Sequence, residues 1–130
     1  MAVGDSALTN NTTAFSNTAI GNNTLYFNTT GQNNTAIGDS ALTSNTTAYG
    51  NTAIGFMSLY NNTTGENNTA IGNNTATGIT TGSANTIIGA NVTGLASNIS
   101  NNIIIADGSG NRRINVTATG GLGILNYTLL

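Results

Sequence analysis

Histidine, cysteine and lysine are absent from this 130-residue chain, and with them go the usual agents of catalysis at neutral pH. General acid–base and nucleophilic chemistry draws on those side chains or on a pair of perturbed carboxylates. The only acids are Asp5, Asp39, Glu66 and Asp107. Asp5 and Asp39 share a position in the repeat described below but lie two repeats apart, so they read as solvated turn residues and not as a dyad. No enzymatic activity and no cofactor is expected. Without cysteine there are no disulfide staples, and the redox compartment leaves no mark. Charge is nearly missing too: Arg112 and Arg113 are the only cations and the net charge is −2. That leaves no basic cluster for a nucleic acid or an anionic membrane surface. No stretch is long and apolar enough to span a bilayer, so no membrane insertion is expected. No charged segment followed by an apolar run opens the chain; either a leader has been removed or none is needed.

What the chain has instead is repetition. An Ile-Gly pair recurs every 17 residues, ending at Gly21, Gly38, Gly55, Gly72 and Gly89, and the register extends back to Val3-Gly4 and forward to Ile105-Ala106. Stacked in that register, the residues before the glycine form an unbroken apolar column: Val3, Ile20, Ile37, Ile54, Ile71, Ile88 and Ile105. A small column precedes it, Ala2, Ala19, Ala36, Ala53 and Ala70, giving way to Ile87 and Ile104. Ahead of these stand a threonine column from Thr18 to Thr86 and an asparagine column from Asn17 to Asn102. A second apolar column, Leu8, Leu25, Leu42 and Leu59, shrinks to Ala76 and Thr93. Paralogous coils also alternate: 4–20 matches 38–54 almost letter for letter, and 21–37 resembles 55–71, so the unit of duplication spans two coils.

Self-stacking repeats of this length are the mark of solenoids, in which each unit buries its apolar face only against its neighbours. Threonine and isoleucine favour a pleated surface and asparagine and glycine favour turns, while the three-four rhythm of an amphipathic helix is missing. The expected fold is all-β: a parallel β-solenoid or β-roll over residues 1–105, with six coils of 17 residues, followed by a C-terminal strand or hairpin cap over 106–130. Each coil should hold two short strands, roughly N-T-A-I-G and S-A-L-T, and the asparagine columns should form amide ladders along the axis. The isoleucine column and the leucine column, Leu8 to Leu59, are the expected core. Calcium-binding β-rolls need an Asp in every repeat, but the corresponding column reads Asp5, Asn22, Asp39, Phe56, Asn73 and Ala90, so no metal site is expected. The glycines are corners and not a phosphate loop.

A core of one Ile, one Leu and small Ala and Thr columns is thin, which predicts a further face of each coil buried against other chains. Homotrimerisation is the preferred solution and a self-sufficient monomer the alternative. After Ile105, the turn formers 106–111 lead into an alternating stretch from Arg112 to Thr119 and a Gly120-Gly121 break, which predicts a hairpin-like cap or a transition element and not another coil. Arg112 and Arg113 either pair with Asp107, the favoured reading, or mark a binding spot. The last residues are apolar, with Ile124, Leu125, Tyr127, Leu129 and Leu130 expected to dock on the chain's own oligomer or on the next subunit. Met1 and Ala2 begin in mid-coil and would present a raw edge that recruits strands, giving a head-to-tail filament; a chain cut from a longer protein would look the same. N-x-T sequons fall in one column at Asn11, Asn28, Asn45 and Asn62, and again at Asn91 and Asn115. They predict a glycan stripe in a secreted glycoprotein, and repeat duplication explains them equally well.

The strings N-T-A-I-G-D-S-A-L and N-N-T-T-G-E-N-N-T-A-I-G resemble the head repeats of trimeric autotransporter adhesins of the YadA type and the shaft repeats of bacterial and phage fibre proteins. The stretch I-I-I-A-D-G-S-G-N-R-R-I-N-V-T-A-T-G-G-L-G-I is similar to the strand element that follows such repeats in the fibre proteins. The resemblance covers most of the chain and implies a trimeric, left-handed solenoid used as an extracellular or cell-surface stalk, head or fibre. The adhesin repeats are typically somewhat shorter than 17 residues, and the chain shows neither their anchor nor the fibre proteins' chaperone domain. The function expected is a non-enzymatic structural filament, adhesive through contact with surface glycans or another cell. A phage tail-fibre shaft is one alternative. An ice-binding solenoid is another, although its threonine pairs are expected at corners and not on a strand face.

Overall fold

The computed structural model describes residues 1–124, and they form an all-β parallel solenoid. One nine-stranded sheet runs the length of the rod in the order β1 to β9. Its strands are β1 (Ala2–Val3), β2 (Thr18–Ile20), β3 (Thr35–Ile37), β4 (Thr52–Ile54), β5 (Thr69–Ile71), β6 (Thr86–Ile88), β7 (Ile103–Ala106), β8 (Arg112–Val116) and β9 (Leu122–Ile124). From β1 to β7 neighbours pair in parallel, and each residue sits opposite its equivalent 17 positions on, as in Ala36↔Ala53 and Ile37↔Ile54. Past β7 the chain reverses, and β8 and β9 add antiparallel strands that close the described structure as the expected cap.

Only one strand forms per coil. The S-A-L-T segment, expected as a second strand, is a turn: Ser40 has φ 58° and Leu42 φ 52°, and Leu25 and Leu59 take the same left-handed conformation. A pleat cannot pass through a left-handed residue. The backbone still bonds from coil to coil there, with Leu25 N–H donating to Ala41 O at 3.1 Å and Leu42 N–H to Ser58 O at 3.0 Å. The bend turns each leucine into the coil, and Leu25, Leu42 and Leu59 are fully buried.

The isoleucine column does not line the coil interior. Side chains alternate along a strand, so in Thr-Ala-Ile the alanine points one way and its two neighbours the other. Ala19, Ala36, Ala53 and Ala70 are fully buried, whereas Ile20, Ile37 and Ile54 are half-buried and Val3, Ile71, Ile88 and Ile105 are exposed. The coil is too narrow for two large columns facing each other. Where the leucine column gives way to Ala76 in the fifth coil, the alanine column becomes Ile87, which is buried. The two walls exchange volume within one coil, as close-packed interiors require.

Buried asparagines hold the coils in register. Asn34, Asn51, Asn68, Asn85 and Asn102 each donate their backbone N–H to the Oδ1 of the asparagine one coil earlier, at 2.9–3.1 Å. The Nδ2 groups of Asn34, Asn51, Asn68 and Asn85 reach the other way, as in Asn51 Nδ2 to Gly65 O at 2.9 Å. In a second ladder, Asn28, Asn45 and Asn62 donate Nδ2 to the Oδ1 of Asn11, Asn28 and Asn45. That ladder stops where Ile79 offers no donor, and Asn62 Oδ1 is left buried without a partner. Asn28, Asn45 and Asn62 are fully buried in these amide bonds, so the expected glycan stripe has no exposed acceptor at those three positions.

The glycine column is a steric requirement. Gly38 has φ 128°, and a Cβ there would stand 2.6 Å from the C and O atoms of Gly55 in the next coil. Gly38→Ala is therefore expected to force the third and fourth coils apart and to lower the thermal unfolding midpoint by many degrees, whereas Ala96→Gly, at an exposed turn, should shift it little. A melting curve for Gly38→Ala that overlays the parent would refute the close stacking.

Candidate assembly face

The outward face of the sheet carries the exposed aliphatic side chains Val3, Ile71, Ile88, Ile103, Ile105, Leu122 and Ile124. Its composition follows from the alternation in each strand and from the pairing register. In β2 to β6 it carries one Thr and one Ile per strand, Thr18 and Ile20 through Thr86 and Ile88. In β7 the threonine is replaced, and Ile103 and Ile105 both point outward. Antiparallel partners share a face, so the pairs Ile105↔Ile114, Ile103↔Val116, Ile114↔Ile124 and Val116↔Leu122 extend the same face over β8 and β9. Exposure is greatest at the two ends: Val3 is 54% exposed, Leu122 64% and Ile124 55%. The stripe spans eight strand intervals, about 38 Å at the usual spacing. Apolar side chains in a continuous row of that length are not the scattered surface hydrophobics of an ordinary monomer.

The residues expected to drive assembly fall into three groups. Ala2, on β1, and Met1 just before it are exposed, with the Met1 ammonium donating to Asn17 O at 2.6 Å. Ile124 lies on the aliphatic face. Leu125, Tyr127, Leu129 and Leu130 lie outside the described residues. Leu122 opens the apolar segment 122–130 expected to dock, whereas Ile103, Ile114 and Val116 carried no such expectation. The signal for them was the alternation of large apolar residues in I-I-I-A and R-I-N-V, whose phase only the pairing register fixes.

Among the described residues the one ion pair lies in the cap. Asp107 accepts from Arg113 Nε at 3.0 Å and Nη2 at 2.5 Å, from Asn111 Nδ2 at 3.2 Å, and from the Ser109 and Asn111 backbone N–H groups. Arg113, then Asn111, hold its carboxyl down at about 2; Arg112 takes no part in this pair. The folded value lies below the ordinary carboxylate value of 3.8, so the Asp107 contribution is complete above that value and disappears as the pH falls through about 2. Amide exchange in the β7–β8 turn should stay protected down to pH about 4 and loosen only in more acidic buffer. Asp107→Asn should remove that acid step. Loosening already at pH 5 would place the step on another group. Elsewhere, the nearby Glu66 carboxylate holds the Tyr49 phenol above its ordinary range. Asp5 and Asp39 stand in equivalent turns two coils apart, and among the described residues no three acids come together.

No protein-family model, curated protein or solved structure matches this chain.

Proposed function

We propose that this chain is a non-enzymatic structural protein that builds an extracellular fibre by homotrimerisation, its subunits joined along the outward aliphatic face. The observation that carries this reading is the unbroken row from Val3 through the isoleucine column to Leu122 and Ile124, aliphatic, uncharged along the isoleucine column, and aligned with the rod axis. Burying such a row contributes roughly 25 cal/mol for each Å² removed from water. Three rods standing parallel around one axis can each offer this single straight face to the other two, and all copies then use the same surface. Head-to-tail stacking of such rods would extend the trimer into a filament.

The test is Ile54→Asp. Ile54 is half-buried on the outer face, so a carboxylate there leaves the coil interior untouched. The variant should keep the β-rich circular dichroism of the parent and lose its oligomeric mass. A variant that folds and assembles like the parent would remove the face from the interface. Ice binding is the second reading, favoured by one observation: Thr18, Thr35, Thr52, Thr69 and Thr86 stand in a row on a strand face and not at corners. Thermal hysteresis in the wild type, with a monomeric mass, would select it.

A further inference from the structure

The aromatic residues of the coils are all outside. Phe15, Phe27, Tyr49 and Phe56 are exposed, and Tyr26 and Tyr60 are half-buried. Aromatic rings normally dominate a core; here leucine, isoleucine and asparagine fill it. The rings also follow the two-coil duplication. Phe15 and Tyr49 occupy one column 34 positions apart, and Tyr26 and Tyr60 do the same in another. Two coils span about 10 Å along the rod, so each column presents flat rings at that pitch.

Around Phe15 and Gln32 the surface offers neutral hydrogen-bonding groups, and the one charge in this column is the Glu66 carboxylate one coil beyond Tyr49. Gln32 stands between Phe15 and Tyr49, and Thr13, Thr30 and Thr47, two residues before each of these three, are exposed. The residues in between, Ala14, Gly31 and Ala48, turn inward. In the neighbouring column, Thr12, Thr29, Thr46 and Thr63 spend their hydroxyls on carbonyls of the next coil at 2.9–3.2 Å. The hydroxyls of Thr13, Thr30 and Thr47 are engaged by no other described residue. The row of Phe15, Gln32 and Tyr49 precedes each strand by three residues and is separate from the Thr-x-Ile face.

We propose that the row formed by Phe15, Gln32 and Tyr49 with Thr13, Thr30 and Thr47 binds an extended, neutral, β-1,4-linked polysaccharide laid along the rod. A pyranose ring has an apolar C–H face that stacks on an aromatic ring and a rim of hydroxyls that exchange hydrogen bonds with threonine and amide groups. In an extended β-1,4-linked chain each ring is flipped relative to the last, so equivalent faces recur at every second sugar, a length comparable to two coils. The row has no cation, which disfavours a nucleic acid or an anionic polymer. The inference deepens the fibre reading by naming the class of surface that a displayed rod would hold.

The test uses the full chain with crystalline cellulose and chitin in sedimentation assays, and cellohexaose and chitohexaose in titration calorimetry. Wild type should be retained on at least one polymer and bind the matching hexasaccharide. Phe15→Ala and Tyr49→Ala should each weaken binding about tenfold, the scale of one lost ring contact, and the double variant should abolish retention at unchanged oligomeric mass. Tyr60→Phe, off this row, should bind as wild type does. No binding of wild type to any of the four probes, or equal binding by the double variant, would overturn the proposal. An assembled wild type that ignores all four probes fails this inference alone. A monomeric wild type that binds, and loses binding in the double variant, fails the fibre reading alone.

Discussion

Leu59→Ala should destabilise the rod by about 2–5 kcal/mol, the usual range for emptying a buried leucine site, and Ala70→Ile should restore most of the loss. Both residues belong to the fourth coil, both are fully buried, and they line opposite walls of the same interior. On its own Ala70→Ile should also destabilise, by about 1–3 kcal/mol, because the added carbons have no room against Leu59. Together the two changes bring in the pair that the fifth coil has at these positions, Ala76 and Ile87, both buried in the same core, where Ile79 also replaces Asn62. The backbone permits it, since Ala76 has φ 58° and Leu59 φ 51°. Denaturant unfolding of the two single variants and the double variant measures the coupling directly. Recovery to within about 1.5 kcal/mol of the parent is the expected outcome, the tolerance seen for volume-conserving core changes. Simple addition of the two losses would mean that the columns do not share a cavity.

Asn51→Ala should cost about 2–4 kcal/mol, although it removes only a small side chain. Asn51 Oδ1 accepts the Asn68 backbone N–H at 3.0 Å, and Asn51 Nδ2 donates to Gly65 O at 2.9 Å. Gly65 O keeps a second donor, Asn62 Nδ2 at 2.9 Å, so it is not orphaned. The Asn68 N–H has no substitute, and Asn68 is buried. The loss should appear as faster hydrogen exchange at the Asn68 amide before any other in the fourth coil. Asn51→Asp is the sharper variant. It keeps the acceptor, loses the donor and places a carboxylate in a buried site with no cation beside it, so it should be worse than alanine at neutral pH and recover partly as the pH falls towards 4. If Asn51→Asp matched the parent at pH 7, the ladder would not be the register device described here.

The repeat made much of this legible in advance. A strict interval of 17 residues predicts which Cα atoms pair, and Thr35↔Thr52 and Ala36↔Ala53 pair accordingly. The amide ladders follow from the same stacking, and the turn formers 106–111 mark the reversal into β8. The inward face was not legible. Thr-Ala-Ile shows a period of two, but its phase depends on how wide the interior is, and that width is set by leucines whose left-handed backbone no propensity would suggest. Hydrophobicity alone favours burying Ile54 over Ala53; the narrow coil reverses that preference. Sequons misled for a related reason, since a threonine two residues after Asn45 says nothing about whether the amide is already bonded. The aliphatic face emerged only once the register of β7, β8 and β9 put Ile105, Ile114 and Ile124 side by side.

The measurement that bears most directly on the central claim is the mass of the wild-type particle in solution, by sedimentation equilibrium across a hundredfold concentration range with negative-stain images of the same samples. The account predicts a particle of three 13.1 kDa chains, or filaments built from it, with no monomer at the upper concentrations. A 13.1 kDa species throughout that range would contradict it, because the aliphatic face would then be standing in water by itself.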